Sequence, residues 1–321
     1  MNITVIGCGR WGSLITWYLD HIGHRVTLYG RAASPRMQAF LTTRQNDLLT
    51  LPESVALSTA LDAALEGAET VIISIGSQSL RALLGQPELQ ALRSRTVVLC
   101  MKGLEMGTGA RLSQIAAELL HPSNTVAVWL GPGHVQEFYR GIPNCMVIDS
   151  ENEDAKRRLV QAFSSDLIRF YYGGDMIGNE VGAAAKNVVG IAAGFLDGFE
   201  MSSLKGALMS RGTREVARLI KAMGGSELSA YGLCHLGDYE ATVFSPYSHN
   251  RQFGESFVRG QDYHQLAEGY YTVKALMLLG QRYGVELPIC KAVHDILYEQ
   301  AVPRDVLAGL LRRGLTEEFY D

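Results

Sequence analysis

The chain has 321 residues, 47% of them hydrophobic, enough for two domains each with its own core, although one large domain is possible. A net charge of -4 and a pI of about 6.1 leave no broad basic surface. Nucleic acid and anionic membrane are therefore not favoured as partners, and any phosphate recognition has to be local.

The first residues run directly into a strand-like segment, Ile3 to Ile6, followed by Gly7-Cys8-Gly9-Arg10-Trp11-Gly12 and the helical pattern Leu14, Ile15, Trp17, Tyr18, His21. Strand, glycine turn and helix in that order predict a dinucleotide site. Gly7 permits the tight bend, Gly9 lets a pyrophosphate reach the backbone, and Gly12 lets the helix pack against the strand. The helix N-terminus then offers free N–H groups and a positive dipole end to the phosphates. Cys8 lies inside this turn but has no evident base nearby, so it reads as small filler rather than a nucleophile. The other cysteines, Cys100, Cys145, Cys234 and Cys290, are scattered; five in all, without paired ligand spacing, imply reduced thiols, a cytoplasmic location and no metal site. With no charged leader and no apolar run long enough for a bilayer, neither export nor membrane insertion is expected.

The second strand, Arg25 to Tyr29, ends in Gly30-Arg31, where a carboxylate would normally grip the ribose 2′-hydroxyl. Gly30 is expected to leave space there. Arg31, with Arg36, could pair with a 2′-phosphate through its fork of donors, which predicts NADP(H) over NAD(H); the alternative is that Arg31 is a solvated loop charge. The alternation continues with a strand at Val71 to Ile75, an amphipathic helix from Ser77 to Leu92, and strands at Thr96 to Cys100 and Val126 to Leu130. This repetition predicts a Rossmann-type, doubly wound parallel sheet, whose ligands gather beyond the carboxyl ends of the strands. Three segments lie there: Gly76-Ser77-Gln78, Met101-Lys102-Gly103 and Gly131-Pro132-Gly133-His134. Lys102 either projects its amine over that crevice or is an exposed loop lysine. A polar helix from Glu151 to Phe163 and a last strand near Leu167 to Tyr171 precede Gly173-Gly174-Asp175, which breaks the pattern. The expected domains are therefore 1–173, dinucleotide-binding, and 174–321, all-helical and substrate-binding.

The second half opens on a run of small and apolar residues from Asp175 to Phe195, with an Asp suited to N-capping and Lys186 and Asn187 side by side. A helix apolar all round is normally buried, and a buried ammonium is costly without a partner or a task. Gly182 and Gly190 lie one turn either side of Lys186, so the face carrying the amine could leave room for a ligand; otherwise the lysine snorkels out beside an ordinary core helix. Further helices are expected over Leu204 to Met223, Glu227 to Leu233, Tyr263 to Tyr283 and Cys290 to Gln300, with Pro288 and Pro303 marking starts or breaks.

Over essentially its whole length the sequence resembles the soluble bacterial type of NAD(P)-dependent glycerol-3-phosphate dehydrogenase. The segments that carry the resemblance are Gly7 to Gly12, Met101 to Glu105, Gly131-Pro132, Glu180 to Asn187, Arg211-Gly212, Leu236-Gly237-Asp238, Asn250 to Gly254 and Glu268-Gly269. It implies interconversion of sn-glycerol 3-phosphate and dihydroxyacetone phosphate, a phosphorylated small-molecule substrate, in the service of phospholipid synthesis. It also implies Lys186 as proton donor and acceptor, with Lys102, Asn187, Asp238 and Asn250 around the substrate. Trp11, Arg31, Lys102, Val135, Leu266 and Glu268 would touch the cofactor beside Gly7, Gly9, Arg10 and Gly12. Helical second domains of this kind often associate, so a homodimer is expected.

The chemistry fits: hydride addition to a ketone leaves an oxyanion that a nearby ammonium can stabilise and protonate. Lys102 close by would depress the Lys186 pKa towards neutrality, while Asp238 could orient the amine and limit the shift. Two departures fall on the substrate side. Where the family has Ser-Arg-Asn-Arg, this chain has Ser248-His249-Asn250-Arg251, so the arginine that reaches substrate phosphate and cofactor is His249; and Gly131-Pro132-Gly133-His134-Val135 replaces Gly-Pro-(Ser/Thr)-Phe-Ala. His249 and His134 together, or the neighbouring Arg251, would then hold the phosphate less tightly, or the enzyme would act on another small polyol, ketone or 3-hydroxyacid, or only a cofactor sensor would remain.

Overall fold

The computed structural model describes residues 1–312 and 317–318, and they divide into two compact units. Unit 1 comprises Met1–Met101 and Leu112–Met176; unit 2 comprises Lys102–Arg111 and the chain from Ile177 onward.

Unit 1 is built on one sheet of eight strands: β1 (Asn2–Ile6), β2 (Arg25–Tyr29), β3 (Ala56–Ser58), β4 (Thr70–Ile73), β5 (Thr96–Leu99), β6 (Thr125–Leu130), β7 (Asn144–Asp149) and β8 (Ile168–Tyr172). Their spatial order is β3-β2-β1-β4-β5-β6-β7-β8. β1 therefore lies at the switch point, between β2 and β4, with Ile3 opposite both Val26 and Thr70. The central strands are buried along their length because helices cover both faces, which is why they read as unbroken apolar runs. Those helices are α1 (Arg10–His21), α2 (Pro35–Thr43), α3 (Leu61–Leu65), α4 (Leu80–Leu84), α5 (Pro87–Gln90), α6 (Leu112–Leu119), α7 (Val135–Tyr139) and α8 (Glu153–Phe163).

Unit 1 differs from the expectation in four features, the first two being β3 and β7, strands that the sequence reading does not include. The β6–β7 pair is antiparallel, with Val128 opposite Asp149. Its connection carries only the short α7 and turns back at Gly141 (φ 82°), without the long crossover that a parallel neighbour requires. The helix expected over Ser77 to Leu92 is instead a 3-10 turn followed by α4 and α5. Gly85 caps the first of these and Pro87, which cannot donate an N–H within a helix, opens the second.

Unit 2 is helical: α9 (Met176–Gly198), α10 (Lys205–Ala222), α11 (His249–Val258), α12 (Glu268–Tyr283), α13 (Pro288–Tyr298) and α14 (Pro303–Leu311), joined by 3-10 and π turns between Glu227 and Phe244. Pro288 and Pro303 each stand in the first turn of their helix. The helix expected from Tyr263 starts later, at Glu268, after Ala267 in an extended conformation. α9 is the axis of this core, with buried residues all round from Glu180 to Leu196. Its small residues let other helices approach: a Cβ on Gly194 would lie 2.1 Å from the Arg251 carbonyl oxygen, and one on Gly254 would lie 2.2 Å from that of Ile191. No helix among the described residues is long and apolar enough to cross a membrane.

Candidate active site

The lysine of α9 stands in a short, closed circuit of polar groups. Its Nζ lies 2.9 Å from Asp238 Oδ2 and donates to Thr242 Oγ1 at 2.7 Å, and that hydroxyl donates to the Asp238 carbonyl at 2.7 Å. Lys102 Nζ reaches the same Asp238 Oδ2 at 2.6 Å, so one carboxylate oxygen is shared by two ammoniums. The other oxygen, Oδ1, is buried and accepts no hydrogen bond among the described residues. Lys186 is buried rather than snorkelling out, while the Lys102 side chain keeps 20% of its surface exposed.

Lys102 joins this circuit because Lys102–Arg111 folds with unit 2. The carbonyl of Lys102 accepts from Asn187 Nδ2 at 2.8 Å, Arg111 Nη1 meets the buried Glu180 carboxylate at 2.6 Å, and Leu104 is fully buried in the helical core. Asn187 Oδ1 in turn accepts from Asn250 Nδ2 at 3.0 Å, and Asn250 Oδ1 from the Gly269 N–H at 2.9 Å. The structure thus brings together Lys186, Lys102, Asn187, Asp238 and Asn250. Ser248 caps α11 through its hydroxyl, and His249 Nδ1 sits 2.6 Å from the Tyr263 hydroxyl. Leu266 is exposed and Glu268 opens α12. Arg251 is committed elsewhere: its Nη1 bonds Asp197 at 2.8 Å and Glu255 at 2.9 Å, and its Nε bonds the Ser245 carbonyl at 3.1 Å.

The space left by the two glycines beside Lys186 is filled by the protein. A Cβ on Gly182 would lie 3.0 Å from Cβ of His235, and one on Gly190 would lie 2.7 Å from Cγ2 of Thr242. Gly182 and Gly190 therefore admit His235 and Thr242, two site residues that sequence reasoning missed. Lys102 is not the chief cause of the Lys186 shift, contrary to expectation. Burial is what chiefly pushes the Lys186 ammonium down, to about 8; Asp238 opposes this, and Lys102 adds a smaller depression.

His235 is fully buried and its imidazole is held down to about 4, above all by burial, then by the nearby Lys186 charge, against the Gly182 carbonyl and Asp238. The unfolded chain binds a proton on this ring below its ordinary 6.5, whereas the folded protein does so only near 4. Stability is therefore lost as pH falls from 6.5 towards 4, by about 2 kcal/mol between about pH 7 and about pH 5. Denaturant midpoints at the two pH values should show this loss, and His235→Asn should flatten it.

In unit 1 the glycine turn has the geometry a dinucleotide needs. A Cβ on Gly7 (φ 117°) would lie 2.1 Å from the Ser74 carbonyl oxygen, and one on Gly12 would lie 1.9 Å from that of Gly7. At Gly9 the nearest atom would be Arg36 Nη1 at 3.8 Å, so the backbone there is open and has an arginine beside it. Gly9 caps α1 without a side-chain hydrogen bond, and no acidic residue occupies the first turn, where Arg10 and Trp11 stand. These residues fit a pyrophosphate. Arg31 is exposed. Gly30 does not leave room, because a Cβ there would meet Cys8 Sγ at 2.8 Å and the Met37 side chain at 2.9 Å. Gly131 (φ 128°) and Gly133 (φ 143°) lead into α7; Gly133 lies under Phe138, whose ring is 6.0 Å from that of Trp11, and Val135 is buried.

Residues 2–156 match the model of the NAD-dependent glycerol-3-phosphate dehydrogenase N-terminus, and residues 175–308 match that of the C-terminus. A glycerol-3-phosphate dehydrogenase (NAD(P)+) of Thermus thermophilus is 37% identical over 330 residues, covering 99% of this chain and 100% of its own. One from a Thermoanaerobacter species is 32% identical over 331 residues, covering 100% and 99%. The crystal structure of glycerol-3-phosphate dehydrogenase from Coxiella burnetii gives a TM-score of 0.89 at 27% identity, covering 97% of this chain and 99% of that one. By both halves of its sequence, and along its full length, the chain belongs to the NAD-dependent glycerol-3-phosphate dehydrogenase family.

Proposed function

We propose that the protein interconverts sn-glycerol 3-phosphate and dihydroxyacetone phosphate, with Lys186 as the proton donor and acceptor. The observation that carries this is the buried Lys186 amine, which shares Asp238 Oδ2 with Lys102 and donates to Thr242, and whose pKa burial pushes down to about 8. When bound, the nicotinamide supplies the hydride in reduction and takes it in oxidation. Lys186 gives its proton to the oxyanion left by reduction and recovers one in the reverse direction. Thr242 and Asp238 hold the amine in place, and Lys102 adds positive charge where the oxyanion develops. Asn187 and Asn250 keep the Lys102 backbone against α9. His249, oriented by Tyr263, takes the substrate phosphate in our reading, since Arg251 is already paired. An imidazole lacks the guanidinium fork, so the phosphate is held less tightly than an arginine would hold it.

The test is saturation kinetics with dihydroxyacetone phosphate and NADPH; absence of turnover at millimolar substrate would sink the reading. Its pH dependence has a definite sign. Reduction needs the ammonium, so its rate is lost as pH rises through about 8, whereas oxidation needs the free amine and gains over the same range. Profiles with the same sign in both directions would remove Lys186 as the group that titrates.

We further infer a preference for NADP(H), supported by Arg36 beside Gly9, by the exposed Arg31 two residues after β2 and by the lack of a carboxylate there. Arg31→Ala should raise KM for NADPH roughly tenfold or more while changing KM for NADH little, the loss of one charge-assisted hydrogen-bonded contact. Equal effects on the two cofactors would assign Arg31 to the solvent. A cytoplasmic homodimer that binds no nucleic acid completes the reading: the scattered free thiols support the cytoplasm, the net charge of -4 the lack of a nucleic-acid partner, and the helical second unit the pairing of two copies.

A further inference from the structure

We propose that His235 is a positioning residue for the proton donor: a neutral imidazole that ties the turn bearing Asp238 to the helix bearing Lys186. The inference deepens the dehydrogenase reading above and rests on it.

His235 lies three residues before Asp238, and its backbone carbonyl accepts from the Asp238 N–H at 3.0 Å. Its ring reaches the other way, with Nδ1 2.8 Å from the carbonyl of Gly182, one turn before Lys186 on α9. A carbonyl can only accept, so Nδ1 carries the proton. Nε2 is then the acceptor, and the Tyr239 hydroxyl, 2.7 Å away, must donate to it. Tyr239 is fully buried, and burial pushes its ionisation up, so the hydroxyl keeps the proton it donates. Both ring nitrogens are thus occupied by groups that suit only one neutral tautomer. Gly182 completes the fit, because a side chain there would press on the His235 Cβ from 3.0 Å.

Together with Thr242, which bonds both Lys186 Nζ and the Asp238 carbonyl, this clamps the carboxylate against the amine from both sides of the turn. The charged groups of the cluster are Lys186, Lys102 and Asp238. A protonated His235 would add a third cation to a single carboxylate, so the neutral ring is also the electrostatically compatible one. A histidine kept only as filler would need neither fixed tautomer nor a bond to the catalytic helix.

The experiment compares the whole protein with His235→Ala, His235→Asn and Tyr239→Phe. The readouts are kcat and KM with dihydroxyacetone phosphate and NADPH, the pH profile, and the Lys186 amine titration followed by NMR of labelled lysines without substrate. His235→Ala should lower kcat on the order of tenfold to a hundredfold, leave KM for NADPH unchanged, and move the Lys186 titration midpoint. His235→Asn, whose amide N–H can still donate to the Gly182 carbonyl, should restore most of the rate. Tyr239→Phe, which keeps the bulk, should move the midpoint in the same direction by less. If His235→Ala and Tyr239→Phe change only the melting temperature, leaving kcat and the midpoint at wild-type values, His235 is filler and the proposal is overturned. If His235→Ala fails to fold, Tyr239→Phe decides by the same two readouts. A wild-type protein that does not turn over dihydroxyacetone phosphate overturns the dehydrogenase reading instead, and the amine titration then judges the positioning role alone.

Discussion

Lys186→Ala lowers kcat by about a thousandfold in both directions, within the range that a positioned general acid or base contributes. NADPH affinity stays near that of the wild type, because in our reading the dinucleotide is held through Gly7, Gly9 and Gly12 of unit 1, which the substitution leaves alone. Lys102 cannot simply take over the proton. Its amine is pinned to Asp238 at 2.6 Å and does not occupy the place beside Thr242 that Lys186 fills. The truncation also leaves a polar hole beside Thr242 and Asp238, so a small primary amine added to the assay should restore part of the rate. Cofactor titration by fluorescence alongside steady-state kinetics checks both halves of the prediction. A mutant within tenfold of the wild type would transfer the proton step to another group.

Asp238→Asn should be costly in two separable ways. The amide leaves two ammoniums, 2.6 and 2.9 Å from one oxygen, with no charge to balance them. Removing one partner of a buried pair costs about 3–5 kcal/mol, and the outcome here should sit at the lower end because Lys102 can swing towards water. Chemical denaturation measures that part. The second effect is on proton transfer: Asp238 is the group that holds the Lys186 pKa up against burial, so its loss moves the reduction profile to lower pH, with kcat reduced on the order of a hundredfold at neutral pH. If stability falls but the profile stays in place, the carboxylate serves the fold and not the reaction.

The central strands of unit 1 were legible because parallel strands covered on both faces must be apolar throughout, as β4 and β5 are, whereas β3, three residues long and only partly covered, and β7, which opens on Asn144 and closes on Asp149, carry no such run and were missed. The glycine turn was legible for a similar reason: each of its three glycines answers a different steric demand within a few residues. The break at Gly85-Gln86-Pro87 was also written in the residues, but the apolar spacing on either side of it suggested one continuous helix. In the site, the residue pattern singled out Lys186 beside Asn187, and Lys102, while the resemblance gave them roles and added Asp238 and Asn250; the fold gathers all five. What it did not supply is how they are held. Thr242 is 56 residues from Lys186, and His235 is 53 from Gly182, and neither spacing leaves a periodic trace. A glycine beside a lysine looks the same in sequence whether a ligand or another part of the chain fills the gap; here His235 and Thr242 fill it. The ion pair of Glu180 with Arg111, 69 residues away, leaves no trace in the spacing either.

The route taken by Lys102–Arg111 bears on any attempt to build hybrids of this enzyme. A fragment beginning at Ile177 would lack Leu104 in its core, would strand the Glu180 carboxylate without Arg111, and would carry Lys186 without its companion amine. Swapping the nucleotide half for that of a relative at a single junction therefore brings a foreign loop into the helical half. A chimaera that keeps its chemistry needs two further splice points, one on each side of that loop, so that it travels with α9.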